Sequence, residues 1–491
     1  MFSVWTAWRR CTLGFVQEDA CLRVCEKIVL DAGEEEIVSF LDRFRAKVLP
    51  TATFRIAGGW VRDKLLNKSN KDIDIAIDTI TGAECINLLK TYSEENGIEG
   101  VGGLFVARLN PEKSKNLETA SLKLFGRSVD FVGLRKEKYT EHTRIPTVEE
   151  ATPLEDALRR DITINALFYN INTGEVEDLI GKGLPDLRAE RIRTTVPPMV
   201  TFMNDPLRIL RVVRFGIRFG FQIDPEIKTA IQSVELRKAF LKKISRERVV
   251  AELEGMMSHS VRSTAKYITE YNLHTLLFPE YDAVTNEPME DVSFAGRENA
   301  EILDRFLLLD ERLCSREMLL GCLASIYGNS GCEEKCKGWI VHRLKFSLKD
   351  RKAMVKVFFH AESVFQLILE IEEKDLGEIG AMVCSLGDVW REGFYFSLLS
   401  RGNVSVQEGV ERASHAVGVV ERHGLGAAYS IKPVLNGNDI VQLLGLSEEK
   451  KKTVLGSIMR DLTLWTYRNI GGSAESAREY LLGKYRSDKE E

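Results

Sequence analysis

The residue types best suited to chemistry lie between positions 54 and 78, in FRIAGGWVRDKLLNKSNKDIDIAID. Asp72 and Asp74 stand two apart in a run that alternates with Ile73, Ile75 and Ile77. Side chains alternate across a strand, so both carboxylates project from one face about 7 Å apart while the isoleucines face the core. Two carboxylates on one face suit a divalent cation. Upstream, Gly58-Gly59 follows the strand-like run Phe54 to Ala57. The glycines let the backbone approach a bulky anion, whose charge their amides and the following helix start favour. A cation beside a phosphate is the equipment of phosphoryl or nucleotidyl transfer, in which two ions can activate the attacking hydroxyl and steady the leaving pyrophosphate. Taken singly, a Gly-Gly turn or a solvated Asp-x-Asp edge needs no function; their order points to chemistry.

The elements around these residues must hold them. Cys21 to Val48 has helical spacing, with Gly33-Glu34-Glu35-Glu36 marking a break and an acidic helix start. Ala83 to Tyr92 reads as a helix, Gly102 to Leu109 as a strand, and residues 110 to 121 as a polar loop. Arg127 to Val132 alternates as a strand whose Asp130 is either a third carboxylate near the metal or a surface aspartate. Arg159-Arg160-Asp161 falls within an amphipathic segment, where two guanidiniums can fork onto phosphate or ribose oxygens. Thr163, Asn165-Ala166-Leu167 and Asp178 to Leu187 follow.

The glycine pair ahead of Asp-x-Asp resembles the active-site entry of the polymerase-beta nucleotidyltransferase superfamily. The whole succession, from about residue 50 to 255, resembles the class II tRNA nucleotidyltransferases, the CCA-adding enzymes. The resemblance implies an α+β fold, with a small mixed-sheet nucleotidyltransferase head followed by helical neck, body and tail. The expected boundaries are an N-terminal extension at 1–30, the head at 31–195, the neck at 196–275, the body at 276–425 and the tail at 426–491.

Residues 204 to 219 read as one helix, with Asp205 before Pro206 as N-cap. Asp205, Arg208 and Arg211 are spaced three apart and would share a face. An aspartate accepts from an exocyclic amine and an arginine donates to the neighbouring ring nitrogen. Cytosine and adenine both present an amine beside an acceptor nitrogen, whereas guanine and uracil present a carbonyl beside a ring N–H. One Asp–Arg pair can therefore accept C and A and reject G and U, and the resemblance implies that Asp205 and Arg208 read the base in place of a nucleic-acid template. Asn204 stands where the commonest family pattern has glutamate. By the same resemblance, Asp72 and Asp74 hold two Mg²⁺ ions and Asp130 assists catalysis. Gly58, Gly59, Arg62, Arg159, Arg160, Asp161, Asn165 and Arg211 then belong to nucleotide binding, residues 110 to 121 are a mobile segment that assists the switch from C to A, and the partners are tRNA, CTP and ATP.

The bulk properties fit this reading. At 491 residues the chain is too long for one core. A formal net charge of -5 gives no global sign of nucleic acid, but residues 204 to 248 carry eleven Lys or Arg against five Asp or Glu, a basic surface suited to an RNA end. Ser245 is expected to cap the helix that follows, with Arg248 paired to Glu252. Nine cysteines show no framework spacing, and Cys332 and Cys336 form a lone pair best read as reduced thiols. None of His259, His274, His342, His360, His415 and His423 precedes an aspartate, so a His-Asp phosphohydrolase module is not expected. No apolar run approaches the ~20 residues that span a bilayer, and no protein partner is evident. Expected locations are the cytoplasm, the nucleus or both; Arg9, Arg10 and the lack of acids in residues 1 to 17 also allow a mitochondrial presequence. Poly(A) polymerases share the catalytic half, CC-adding and A-adding relatives divide the activity, and an RNA-binding scaffold with an inactive transferase fold is the non-enzymatic alternative.

Overall fold

The computed structural model describes residues 27–107, 119–140, 143–277, 297–328 and 345–485. The chain divides into two compact units, Met1–Ala239 and Phe240–Glu491. The first contains a mixed sheet and short helices; the second is helical.

The first helix, α1 (Ala32–Val48), begins one residue before the expected break, so Gly33 lies inside its first turn. Residues 21 to 26 of the expected helix lie outside the described residues. Asp31 caps α1 in a reciprocal box: its carboxylate accepts from the Glu34 amide at 2.9 Å, and Glu34 accepts from the Asp31 amide at 2.8 Å. Ile37, Phe40, Leu41 and Phe44 form its buried stripe.

The chain continues through β1 (Phe54–Ala57), α2 (Gly59–Leu65), β2 (Ile73–Ile77), α3 (Gly82–Glu95), β3 (Val101–Ala107), β4 (Thr119–Leu124) and β5 (Arg127–Gly133). Next come β6 (Arg135–Thr140) and β7 (Thr143–Glu150), which pair only with each other, then α4 (Pro153–Leu158), β8 (Phe168–Asn170) and β9 (Glu175–Glu177). The sheet order is β3-β4-β5-β2-β1-β8-β9, with β2 parallel to β5 and the other neighbours antiparallel. Ile73, Ile75 and Ile77 are buried, as the alternation of β2 requires. The expected loop at 110 to 121 needs correction at its end. Residues 110 to 118 lie outside the described residues, but Thr119, Ala120 and Ser121 open β4, because Ala120 is buried against the core and pairs with Phe131.

The helix expected over 204 to 219 starts later than read: after α5 (Gly183–Arg188) and β10 (Arg191–Ile192), α6 (Pro198–Asn204) ends, and α7 (Arg208–Phe219) begins with Leu207 rather than Asp205 at its N-cap. Pro206 accounts for the break, since proline disfavours helical backbone in the residue before it. Asp205 is accordingly extended, at φ -135° and ψ 99°, and its Oδ1 accepts from the Leu207 amide at 3.2 Å. Ile209, Leu210, Val212, Val213 and Gly216 are buried on α7, and Gly220, at φ 73°, ends it in the left-handed region.

The second unit is built around Trp390, Phe394, Leu398 and Tyr467, with a smaller core of Ile440, Leu462, Trp465 and Leu481 near the C-terminus. Ser245 occupies the N-cap position of the Arg246–His259 helix but makes no side-chain cap bond, contrary to expectation. Asn436 caps the helix Gly437–Leu444 in a box with Asp439. Cys332, Cys336 and His342 lie outside the described residues. Among the described residues no helix is long and apolar enough to cross a membrane.

The fit of α3 on β5 is tight at Gly82, where an added Cβ would overlap the Phe131 carbonyl oxygen. Backbone cannot yield as a flexible side chain can, so Gly82→Ala should cost about 1–3 kcal/mol. A thermal melt should show this as a clear fall in Tm; an unchanged Tm would mean that α3 does not seat on β5 this closely.

Candidate active site

The acidic face forms where β2 and β5 run side by side. Asp74 pairs with Asp130 in the parallel register, and Asp72 sits one residue before β2, its amide donating to Asn70 Oδ1 at 2.9 Å. Asp130 also accepts a hydrogen bond from Ser121 Oγ on β4. Asp74 is open at the surface. Its carboxyl is nevertheless raised above its ordinary pKa, first by loss of hydration against the sheet and then by Asp130, with Asp72 adding to the effect and Arg160 and Arg135 opposing it. Among the described residues no three carboxylate, imidazole or thiol groups converge closely enough to form a preassembled metal site. The donor set is all oxygen, and crowded carboxylates of this kind fit a hard divalent cation, which would reverse the repulsion among them.

The glycine turn faces this acidic edge. The antiparallel register Ile56 to Ile75 carries Gly58, at the exit of β1, to the entrance of β2. Gly58 has φ 69° and ψ -122°, and its amide donates to the Leu167 carbonyl at 3.0 Å. The positive φ is what favours glycine here, and an added Cβ would also stand 2.7 Å from Arg160 Nη1, which would have to move. Gly59 opens α2 and meets no such obstruction.

The arginine pair lies at the end of α4, which stops at Leu158 with Arg159 as its C-cap. Both guanidiniums converge on Asp156, which is 2% exposed. Arg159 Nε donates to its Oδ1 at 2.8 Å, and Arg160 Nη2 and Nε donate to its Oδ2 at 2.9 and 3.1 Å. Burial pushes the Asp156 pKa up, but the two guanidiniums outweigh it and hold the carboxyl below its ordinary range. Sequence reasoning missed Asp156. Its signal was available, since an aspartate three and four residues before two arginines shares their helical face.

Behind the pair lies a polar network. Asp161, 7% exposed, accepts from Arg211 Nε at 2.9 Å and Nη2 at 2.7 Å, and its other oxygen accepts from Asn165 Nδ2 at 2.9 Å. Asn165 Oδ1 accepts from Arg62, which is 2% exposed and also pairs with Asp63 at 2.7 Å. Asp63 in turn meets Arg218 at 3.1 Å and Asn70 at 2.9 Å. The Arg62 guanidinium lies 4.7 Å from the Phe219 ring centroid and 5.3 Å from that of Phe215. Thus Arg62, Asp161, Asn165 and Arg211 are gathered into one network that ties the sheet to α7.

Arg208, 8% exposed, opens α7 and donates to Thr201 Oγ1 at 2.7 Å and to the Arg159 carbonyl at 2.6 Å. Asp205 precedes it in the extended break and Asn204 is the last residue of α6, so the three-residue spacing does not place Asp205 on a helical face with Arg208. A turn still joins them, the Arg208 amide donating to the Asp205 carbonyl at 3.0 Å.

Known proteins resemble the chain along most of its length. The family described as Poly A polymerase head domain matches residues 54–193, and the probable RNA and SrmB-binding site of polymerase A matches 220–285. The chain is 31% identical to the tRNA nucleotidyltransferase cca2 of Schizosaccharomyces pombe, over 93% of this chain and 98% of that protein. It is 31% identical to the mitochondrial CCA tRNA nucleotidyltransferase of Saccharomyces cerevisiae, over 93% of each. The fold is similar to that of a CCA-adding enzyme solved in an apo form, with a TM-score of 0.65 and 19% identity over 93% of this chain and 96% of the other.

The depressed carboxyls of Asp156 and Asp161 have a consequence for stability. Asp161 is driven up by burial and brought below its ordinary value of 3.8 chiefly by Arg211, with Asn165 contributing. A group with a lowered folded pKa contributes stability that is complete well above its unfolded value and is lost as pH falls through the folded one. Unfolding should therefore take up protons below about pH 5, and acid titration of the unfolding free energy should show a limb that Asp161→Asn flattens. An identical limb in that variant would remove Asp161 from the network's energetics.

Proposed function

Because the chain belongs to the tRNA nucleotidyltransferase family of CCA-adding enzymes, we propose that it adds C, C and A in turn to the 3′ end of tRNA from CTP and ATP, releasing pyrophosphate each time. The observation that carries this reading is the juxtaposition of the Asp74–Asp130 face with the Gly58–Arg160 turn at the meeting of β1 and β2. Enzymes of this family use divalent metal ions, and Asp72 and Asp74 would hold two Mg²⁺ ions, whose chemistry is to acidify a hydroxyl and neutralise charge on phosphate oxygens.

The residues divide the remaining work. The tRNA 3′-hydroxyl oxygen bonds to the α-phosphorus while the bond to pyrophosphate breaks, with Asp130 placed to help receive the hydroxyl proton. Gly58 and Gly59 allow the backbone close to the triphosphate, and Arg159 and Arg160, oriented by Asp156, face its oxygens. Arg62, Asp161, Asn165 and Arg211 keep the nucleotide pocket in shape from behind. Asp205 and Arg208 read the Watson–Crick edge, so the protein rather than a nucleic-acid strand dictates C and A. In this reading the head spans 31–195, the neck 196–275, the body 276–425 and the tail 426–491, the last three serving tRNA. The yeast relative's mitochondrial name supports a mitochondrial pool of this protein.

Incorporation into a tRNA lacking its 3′ CCA, resolved to single nucleotides with CTP, ATP or both, tests the reading directly. Addition should stop after C, C and A. A long A ladder would make the protein a poly(A) polymerase, and C without A, or A without C, a split-activity enzyme. Asp72→Ala/Asp74→Ala should lower incorporation by at least about a thousandfold while tRNA binding persists. Incorporation near the starting rate would remove these carboxylates from the chemistry.

A further inference from the structure

We infer that Thr201 is a positioning residue for nucleotide choice: its hydroxyl holds the Arg208 guanidinium in the plane that reads C and A. The inference rests on the base-reading role proposed for Arg208 and names the group that makes that role selective.

The geometry is compact, with the anchoring hydroxyl buried. Thr201 lies on α6 with its residue fully buried, and its Oγ1 accepts from Arg208 Nη1 at 2.7 Å. The other terminal nitrogen, Nη2, donates to the Arg159 carbonyl at 2.6 Å. A guanidinium is a rigid planar fork, and anchoring both ends of the fork fixes its rotation about the side-chain axis. One anchor comes from α6 and the other from the turn that carries Arg159 and Arg160. The orientation of Arg208 is thereby set by the same segment that holds the proposed triphosphate arginines.

Orientation matters here because arginine has only donors to offer. A guanidinium held in one plane presents an N–H where cytosine and adenine place a ring acceptor, and the same N–H meets a ring N–H in guanine or uracil. A guanidinium free to rotate can instead donate to the carbonyl oxygen that guanine and uracil carry beside that ring N–H. Discrimination therefore requires restraint as well as charge. Arg159 contributes to it through its backbone carbonyl, and Thr201 contributes through its side chain. Sequence spacing concealed this, because Thr201 precedes the break at Pro206 and belongs to a different helix from Arg208.

The test compares kcat/KM for CTP and ATP with that for UTP and GTP on a tRNA acceptor of the appropriate length. Thr201→Val replaces the hydroxyl by a methyl of similar size, and Thr201→Ser keeps it. A hydrogen bond to a charged group is worth enough that its loss should narrow the C-over-U and A-over-G preferences by at least about tenfold, while Thr201→Ser retains them. The ratio cancels the fraction of enzyme that folds, and Thr201→Ala reads the same ratio should Thr201→Val yield no soluble protein. Undiminished preferences in both Thr201→Val and Thr201→Ala would overturn the inference. Arg208→Ala separates this from the reading beneath it: if that variant keeps its preferences, Arg208 does not read the base, and if it alone loses them, Arg208 reads the base without help from Thr201.

Discussion

A carboxylate that water cannot reach must be matched by cations or protonated, and Asp161 is matched by Arg211. That pair joins the segment between α4 and β8 to α7, and it continues through Asn165 to Arg62, Asp63 and Arg218. Each charge is stable only while its neighbours stay in place, and at Arg62–Asp63, where both side chains are buried, removing one partner costs about 3–5 kcal/mol. An apolar contact between the same elements would bind them as firmly but would permit sliding; a forked Arg–carboxylate pair fixes register as well. The sheet that carries the acidic residues and the helix that opens with Arg208 are consequently held in one relative position.

Two sets of carboxylates on this framework are tuned in opposite directions. Asp156 and Asp161 are buried, yet their guanidinium partners hold them below the ordinary range. Asp74 is raised, because surrounding protein thins its hydration and Asp130 stands on the neighbouring strand. The difference lies in the supply of nearby positive charge: behind the glycine turn, arginines outnumber acids, and on the open face the acids have each other. A surface with unmet negative charge is suited to a cation from solution, whereas the internal network is already neutralised. The division between framework and working face is thus electrostatic as much as spatial.

The break at Pro206 shapes the rest of the neck. A continuous helix from 204 would carry Asp205 and Arg208 on one rail and leave Thr201 outside it. Proline instead forces an extended Asp205, starts α7 at Arg208, and lets α6 fold alongside so that Thr201 reaches the guanidinium. The basic residues of α7 then serve two ends, Arg208 toward Thr201 and Arg159, and Arg211 and Arg218 toward Asp161 and Asp63. A local excess of positive charge in sequence is therefore partly consumed by internal carboxylates before any RNA is met.

What the sequence determined by itself was whatever depends on neighbours a few residues away. Alternation placed Ile73, Ile75 and Ile77 inward on β2, the glycine pair marked the turn after β1, and the acid and arginine motifs were legible as sets because their chemistry lies in residue type and short spacing. The tertiary structure decided which of those charges face each other. Asp74 meets Asp130 only through a parallel pairing across more than fifty residues, Arg62 meets Asn165 across about a hundred, and Arg211 meets Asp161 across 50. No local pattern encodes such partners, because a buried charge selects whichever opposite charge the packed chain delivers to it, and that selection exists only once the sheet and the neck have closed on each other.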